Sequence, residues 1–180
     1  VVAAECHAVH ERVGIMDMSS FAKIDVTGTD AEALLNRIPR RNGGIALAHG
    51  LSRGGRIETE CTVTCLADNH FFVVTGAAWE DRDIDRLANA ARLDEDVTIT
   101  NVTDDWGALV LAGPRARDVF AALTEADLSN NDFPWLTGRE ITVAGAPARA
   151  LRVNYVGKLG WEIYVPMARL SALYEAICAA

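Results

Sequence analysis

Two short segments hold the residues whose types and spacing could do chemistry. The first is Gly55-Arg56-Ile57-Glu58-Thr59-Glu60-Cys61-Thr62-Val63. From Ile57 to Leu66 it reads as a long strand, so side chains alternate between two faces. Ile57, Thr59, Cys61, Val63 and Cys65 share one face, and Glu58, Glu60, Thr62 and Thr64 share the other. Carboxylates two apart on one strand lie roughly 7 Å apart at the backbone. If their face is open to water, they form the polar side of a half-buried sheet. If it lines a pocket, they can accept hydrogen bonds from a ring edge, stabilise a cationic iminium and push each other's pKa values apart.

The second segment is Asn154-Tyr155-Val156-Gly157-Lys158-Leu159-Gly160-Trp161-Glu162. Two glycines frame a tight turn, with a phenol and a carboxylate beside it. A flat polar heterocycle suits such a corner: its face stacks and its edge donates to the carboxylate. Ordinary hairpin chemistry is the alternative.

Other chemistries find little support. His7 and His10 sit three apart on an expected N-terminal helix, and His49 and His70 stand alone, so no metal site is expected. Cys6, Cys61, Cys65 and Cys178 form no CxxC pair. Cys61 and Cys65 lie in an apolar run as small hydrophobes, and a reducing compartment fits. No P-loop, nucleophile elbow or dinucleotide fingerprint occurs. The net charge of −8 argues against a nucleic-acid partner. No stretch suits a membrane span or a signal peptide. A start at Val1 and an apolar helix at the end suggest a piece of something longer.

The elements that must position these groups repeat. Phe21-Ala22-Lys23-Ile24-Asp25-Val26-Thr27-Gly28 is an alternating strand ending in glycine, followed by a helix pattern with Ala31, Leu34 and Leu35 inward. Trp106 to Gly113 repeats it, followed by Ala116, Val119 and Phe120 at matching offsets. Asp30 and Pro114 mark helix starts. Strands follow at Ile57 to Leu66 and His70 to Thr75, then a helix over Trp79 to Ala91 with Ile84, Leu87 and Ala91 inward. The later copy has strands at Ala148 to Tyr155 and Gly160 to Val165. Its helix runs from Pro166 to Ala180, with Leu170, Leu173, Tyr174 and Ile177 inward. The expectation is an α+β protein of two ferredoxin-like split β-α-β units in pseudo-repeat, antiparallel sheets with helices, over residues 1–95 and 96–180. Asn36 to Gly44 reads as a basic loop and Leu128 to Gly138 as a polar loop carrying an aromatic.

Three motifs resemble one family. Gly14-Ile15-Met16-Asp17-Met18-Ser19-Ser20-Phe21-Ala22-Lys23 is similar to its opening motif, Leu111-Ala112-Gly113-Pro114 to its central turn, and Tyr155 through Glu162 to its Y-x-G-E-x-G-[YW]-E motif. This is the glycine cleavage T-protein (aminomethyltransferase) family, also fused to dimethylglycine and sarcosine dehydrogenases. Asp127 through Thr137 leans toward the dehydrogenase branch. The resemblance covers about Glu11 to Ala180, roughly the first half of a family module, so the family's C-terminal barrel is expected to lie outside this sequence.

The resemblance implies tetrahydrofolate binding and formation of 5,10-methylenetetrahydrofolate. The one-carbon unit would come from oxidative demethylation of a methylated glycine or from an aminomethyl donor. It implies Glu60 as the catalytic acidic residue, and Tyr155, Glu162, Glu58 and Gly76 as cofactor-binding positions converging with it on one concave surface. It implies a fused or associated flavin amine dehydrogenase, FAD residing only in a domain outside this chain, and a cytoplasmic or mitochondrial-matrix setting. Lys158 departs from the family's Glu, Gly76 from a frequent Asn, and the link between Leu35 and Pro39 is about four residues shorter. The alternative reading is a non-catalytic folate-binding or oligomer-interface module.

Overall fold

The computed structural model describes residues 1–35, 44–153 and 155–180. The chain begins with helix α1 (Val2–Glu11) and strand β1 (Gly14–Asp17). It continues through β2 (Ala22–Thr27), α2 (Ala31–Leu35), β3 (Ile45–Leu51), β4 (Ile57–Ala67) and β5 (His70–Thr75). A 3-10 turn at Ala77–Trp79 leads into α3 (Glu80–Ala90) and β6 (Thr98–Asn101). Then come β7 (Trp106–Ala112), α4 (Ala116–Ala121), β8 (Gly138–Val143), β9 (Ala146–Leu151) and β10 (Gly160–Pro166). A second 3-10 turn, Met167–Arg169, precedes α5 (Leu170–Ala179).

The strands form two five-stranded antiparallel sheets, ordered β3-β4-β5-β2-β6 and β8-β9-β10-β7-β1. The first two strands of each unit's split motif, β2 and β4 or β7 and β9, are separated by one antiparallel strand, β5 or β10. This is the split β-α-β arrangement, with β3 or β8 added at one edge. The expected α+β class and pseudo-repeat are thus present.

The division into units differs from the contiguous halves at residue 95. One unit is Ser20–Thr103; the other combines Val1–Ser19 with Asp104–Ala180. The reason is strand pairing. β6 closes the first sheet beside β2, whereas the equivalent place beside β7 is taken by β1 from the chain's beginning.

The repeat extends to single hydrogen bonds. Gly28 and Gly113 have φ of 123° and 138°, a region open to glycine but strained for other residues. Gly28 N–H donates to Asn69 O (3.1 Å), and Gly113 N–H to Leu159 O (2.8 Å). A Cβ on Gly28 would lie 2.1 Å from Asp96 O, and one on Gly113 2.5 Å from Arg12 O. Those same carbonyls accept from Asp30 N–H and Arg115 N–H. Asp30 stands immediately before α2, as a helix start there requires, and its backbone carbonyl accepts the Leu34 N–H. Its carboxylate accepts the Asp96 N–H at 2.9 Å, so Asp30 and Asp96 tie the helix entrance to the approach of β6.

Each sheet buries one face under its own helices. In the Ser20–Thr103 unit, Ala31, Leu34 and Leu35 pack with Ile24, Val63, Phe71 and Val73, joined by Ile84, Leu87 and Ala91. In the other unit, Ala116, Val119 and Phe120 pack with Leu111, Trp161, Ile163, Leu173 and Ile177. Tyr174 is exposed rather than inward. Leu170, Leu173 and Ile177 complete the α5 stripe without it. The 128–138 loop is less polar than it reads, because Leu128 and Phe133 are buried while its Trp135 is exposed. β9 ends at Leu151 rather than Tyr155. Arg152 N–H turns aside to Thr137 O, and Arg152 O accepts from Leu136 N–H. The basic loop (apart from Gly44), the shortened link and Asn154 lie outside the described residues.

Candidate functional site

In the Ser20–Thr103 unit, the β3–β4 hairpin positions the acidic pair. Gly50 faces Thr59, but Leu51 faces Ile57, so Glu58 is the extra residue of a β-bulge. A bulge re-aims its side chain and bends the strand. Glu58 therefore does not stand beside Glu60 as strict alternation requires. Its Oε2 pairs with Arg86 of α3 at 2.9 Å. Glu60 instead faces His49 across the hairpin, with His49 Nε2 2.8 Å from Glu60 Oε2. The two carboxylates have different partners on different elements. The Glu60 face of β4 is exposed at Glu60 and buried at Thr62 and Thr64.

Behind this hairpin, Asp83 of α3 is buried and fixes the strands. It accepts the hydroxyls of Thr59 (2.6 Å) and Thr75 (2.7 Å), and Arg82 donates to it as well. Arg86 donates to the Thr59 hydroxyl at 3.1 Å. Gly50 leaves room for this cluster, since a Cβ there would meet Thr59 Cβ at 3.2 Å and Arg86 at 3.5 Å. A cavity of about 440 Å³ lies on this side, with His49, Thr59, Asp83 and Arg86 among its polar lining and Leu34 and Leu87 among its apolar lining. None of Glu58, Glu60 and Gly76 lines it. Burial, then the charges of Asp83 and Glu60, push the Cys61 thiol up to about 11, so it is an inert thiol there. Gly76 follows β5 with extended backbone (φ −65°, ψ 134°), and its carbonyl accepts the Trp79 N–H at 2.9 Å.

In the other unit, β10 carries Glu162. Its neighbour Trp161 is fully buried on the helical face, against Phe120 and Phe133 at 5.4 and 6.2 Å between ring centres. Arg152 lies over the same indole and donates to Phe133 O and to Asn130. This anchoring sets the register, and alternation then turns Glu162 and Tyr164 to the opposite face. Glu162 is 2% exposed and Tyr164 1%. Burial raises the Glu162 carboxyl to about 7, partly offset by the Tyr164 hydroxyl, which donates to its Oε2 at 2.8 Å. Burial and the Glu162 charge raise the Tyr164 phenol well above its ordinary value. Tyr155 is exposed, in the loop where Gly157 takes φ 67°.

Of the residues expected from the sequence, Glu58, Glu60 and Gly76 lie in one unit and Tyr155 and Glu162 in the other. Three residues at these places were not expected: His49, Asp83 and Tyr164. Tyr164 carried a readable signal, since it stands two residues beyond Glu162 on one strand face. His49 needed the hairpin register, and Asp83 the docking of α3. Among the described residues, no group of three or more His, Cys, Asp or Glu could hold a metal ion. No helix among them is long and apolar enough to cross a membrane.

Comparison with known proteins gives a consistent result. Residues 1–180 match the family described as the GCVT N-terminal domain. The chain is 37% identical to mitochondrial dimethylglycine dehydrogenase of Mus musculus, over 99% of the chain and 21% of the relative. It is 33% identical to sarcosine oxidase subunit alpha of Corynebacterium sp. (strain P-1), over 99% of the chain and 20% of the relative. It thus spans about a fifth of the length of these curated relatives. Among solved structures, glycine cleavage system aminomethyltransferase T from Bartonella henselae superposes with a TM-score of 0.84 at 24% identity. That match covers 98% of this chain and 48% of the other. Heterotetrameric sarcosine oxidase from Corynebacterium sp. U-96 gives 0.74 at 17% identity, over 97% and 88%. At those identities the two structures speak for the fold.

Proposed function

The chain belongs to the GCVT N-terminal domain family, and from that membership we propose that this aminomethyltransferase-like domain binds tetrahydrofolate and serves formation of 5,10-methylenetetrahydrofolate. The observation that supports this best is the Glu162–Tyr164 pair. A carboxyl almost sealed from water and held near neutrality suits the edge of a neutral polar heterocycle. One oxygen takes the Tyr164 hydroxyl, which fixes the carboxyl's plane. The other would accept ring N–H groups. Water would compete poorly at such a site.

The residues present fit the pterin end of the molecule. Glu162 would accept from the ring edge, and the exposed Tyr155 offers a ring face beside the Gly157 turn. Gly76 has no side chain, so it contributes backbone only. Glu58, held by Arg86, would contribute as part of an ion pair. When bound, tetrahydrofolate supplies the nucleophilic nitrogens that take up the one-carbon unit. Glu60 would hold or move a proton at the reacting centre while Glu162 and Tyr155 orient the ring. Proximity does the rest, because a captured one-carbon unit need not diffuse.

In the longer relatives, whose names include dimethylglycine dehydrogenase and sarcosine oxidase, this domain is one part of a larger chain. By analogy, the one-carbon donor here is released by oxidative demethylation of a methylated glycine in a flavin domain fused to or associated with this one, with FAD bound there. The test is methylenetetrahydrofolate yield from the intact protein with Glu60→Ala and Glu60→Gln. A drop of at least roughly tenfold for both is expected. Unchanged yield removes Glu60 from the chemistry and favours a non-catalytic folate-binding or interface role.

A further inference from the structure

We propose that His49 is a positioning residue for Glu60, donating Nε2–H to Oε2 so that the second carboxylate oxygen is held forward for the reacting group. The proposal rests on the reading of Glu60 just given. His49 and Glu60 are directly opposed in the β3–β4 register, the closest side-chain relation an antiparallel pair provides. At 2.8 Å the contact is a full hydrogen bond rather than a loose approach.

Orientation, not stability, is what this pair supplies. Both side chains are partly open to water, 36% for His49 and 55% for Glu60. Such pairs add little to folding free energy. A Glu side chain left alone in that setting would sample several rotamers. His49 is the hydrogen-bond partner of the Glu60 side chain among the described residues. The surroundings separate Glu60 from the other charges of the hairpin. The bulge hands Glu58 to Arg86, while Arg82 and Arg86 are also engaged with Asp83 and Thr59. Arg86 and Arg82 thus do not take over Glu60, and His49 reaches it from the other strand. The strand that carries Glu60 is braced by Asp83 through Thr59, and its neighbour β5 through Thr75.

The test uses the intact protein and the variants His49→Leu, His49→Gln and Glu60→Gln. His49→Leu should lower kcat for methylenetetrahydrofolate formation about tenfold and change the tetrahydrofolate KM less than about twofold. Gln keeps an amide donor at similar reach, so His49→Gln should recover most of the loss. In the Glu60→Gln background, His49→Leu should have no further effect. Equal loss in the Leu and Gln variants, or additive losses in the double variant, would overturn the proposal. A spectroscopic arm stands apart from folate chemistry. In protein labelled with ¹⁵N-histidine, the His49 Nε2 resonance should shift with Glu60→Gln and stay in place with Glu58→Gln. No shift with Glu60→Gln means the pair is not formed. A shift in a protein that makes no methylenetetrahydrofolate leaves the pairing intact and refutes the proposed function instead.

Discussion

Glu162 and Tyr164 stand two residues apart on β10, and the Tyr164 hydroxyl donates to Glu162 Oε2 at 2.8 Å inside the protein. Two on-strand neighbours on one sheet face thus make a buried acid–phenol pair behind a turn that carries a second tyrosine.

This pair makes stability depend on pH. Burial raises the Glu162 carboxyl from 4.5 to about 7. Between those values the folded chain keeps a proton that the unfolded chain has released, so stability falls as pH rises. The contribution is fully present below pH 4.5 and gone above about 7, and amounts to at most about 3 kcal/mol. The affected unit is the one formed by Val1–Ser19 and Asp104–Ala180, and its buried Trp161 serves as a fluorescence reporter. Its urea midpoint should fall across that pH window in the wild type. Glu162→Gln, which keeps an acceptor for Tyr164, should flatten the change.

The paired glycines should be the least replaceable turn positions. Gly28→Ala places a Cβ against Asp96 O, and Gly113→Ala places one against Arg12 O, both at positive φ. Each should cost about 2–3 kcal/mol or more. Gly55 also has positive φ (79°) but open space around it, so Gly55→Ala should cost only about 1 kcal/mol. Chemical denaturation of the three variants compares strain with strain plus collision.

Asp83→Ala should destabilise the Ser20–Thr103 unit by about 2–4 kcal/mol. It removes the carboxylate that accepts two threonine hydroxyls and the charge that Arg82 faces. Hydrogen exchange should rise in β4 and β5 before it rises in β9 and β10. Equal protection in the variant and the wild type would show that the cluster does not brace the hairpin.

Cys61 should resist alkylation in the folded protein. With its thiol raised to about 11, roughly one molecule in a thousand is thiolate at pH 8. Iodoacetamide followed by peptide mass mapping should find the exposed Cys6 and Cys178 modified first. Rapid labelling of Cys61 would contradict its packed surroundings.

Much of the fold was legible because periodicity reports burial. Ala31, Leu34 and Leu35, and Ala116, Val119 and Phe120, are the buried residues of their helices. The repeated glycine pointed to a repeated turn. The edge strands were not legible. β1 and β6 are four residues each, and only pairing with a distant partner defines them. That is also why the division into units could not be read from contiguous sequence. At the candidate site, the strand expected at Gly160 to Val165 carries Glu162, but alternation misplaced Glu58. A bulge leaves no mark on the hydrophobic pattern of so polar a strand end. His49 was missed for a related reason: its partner is set by hairpin register, which local spacing does not contain.

Tetrahydrofolate affinity, measured by calorimetry on the intact protein, bears most directly on the folate-binding reading. The wild type should bind, and the double variant Tyr155→Ala with Glu162→Gln should bind at least tenfold more weakly, about 1.4 kcal/mol. Equal affinity in the two proteins, or no heat from the wild type at millimolar ligand, would contradict it.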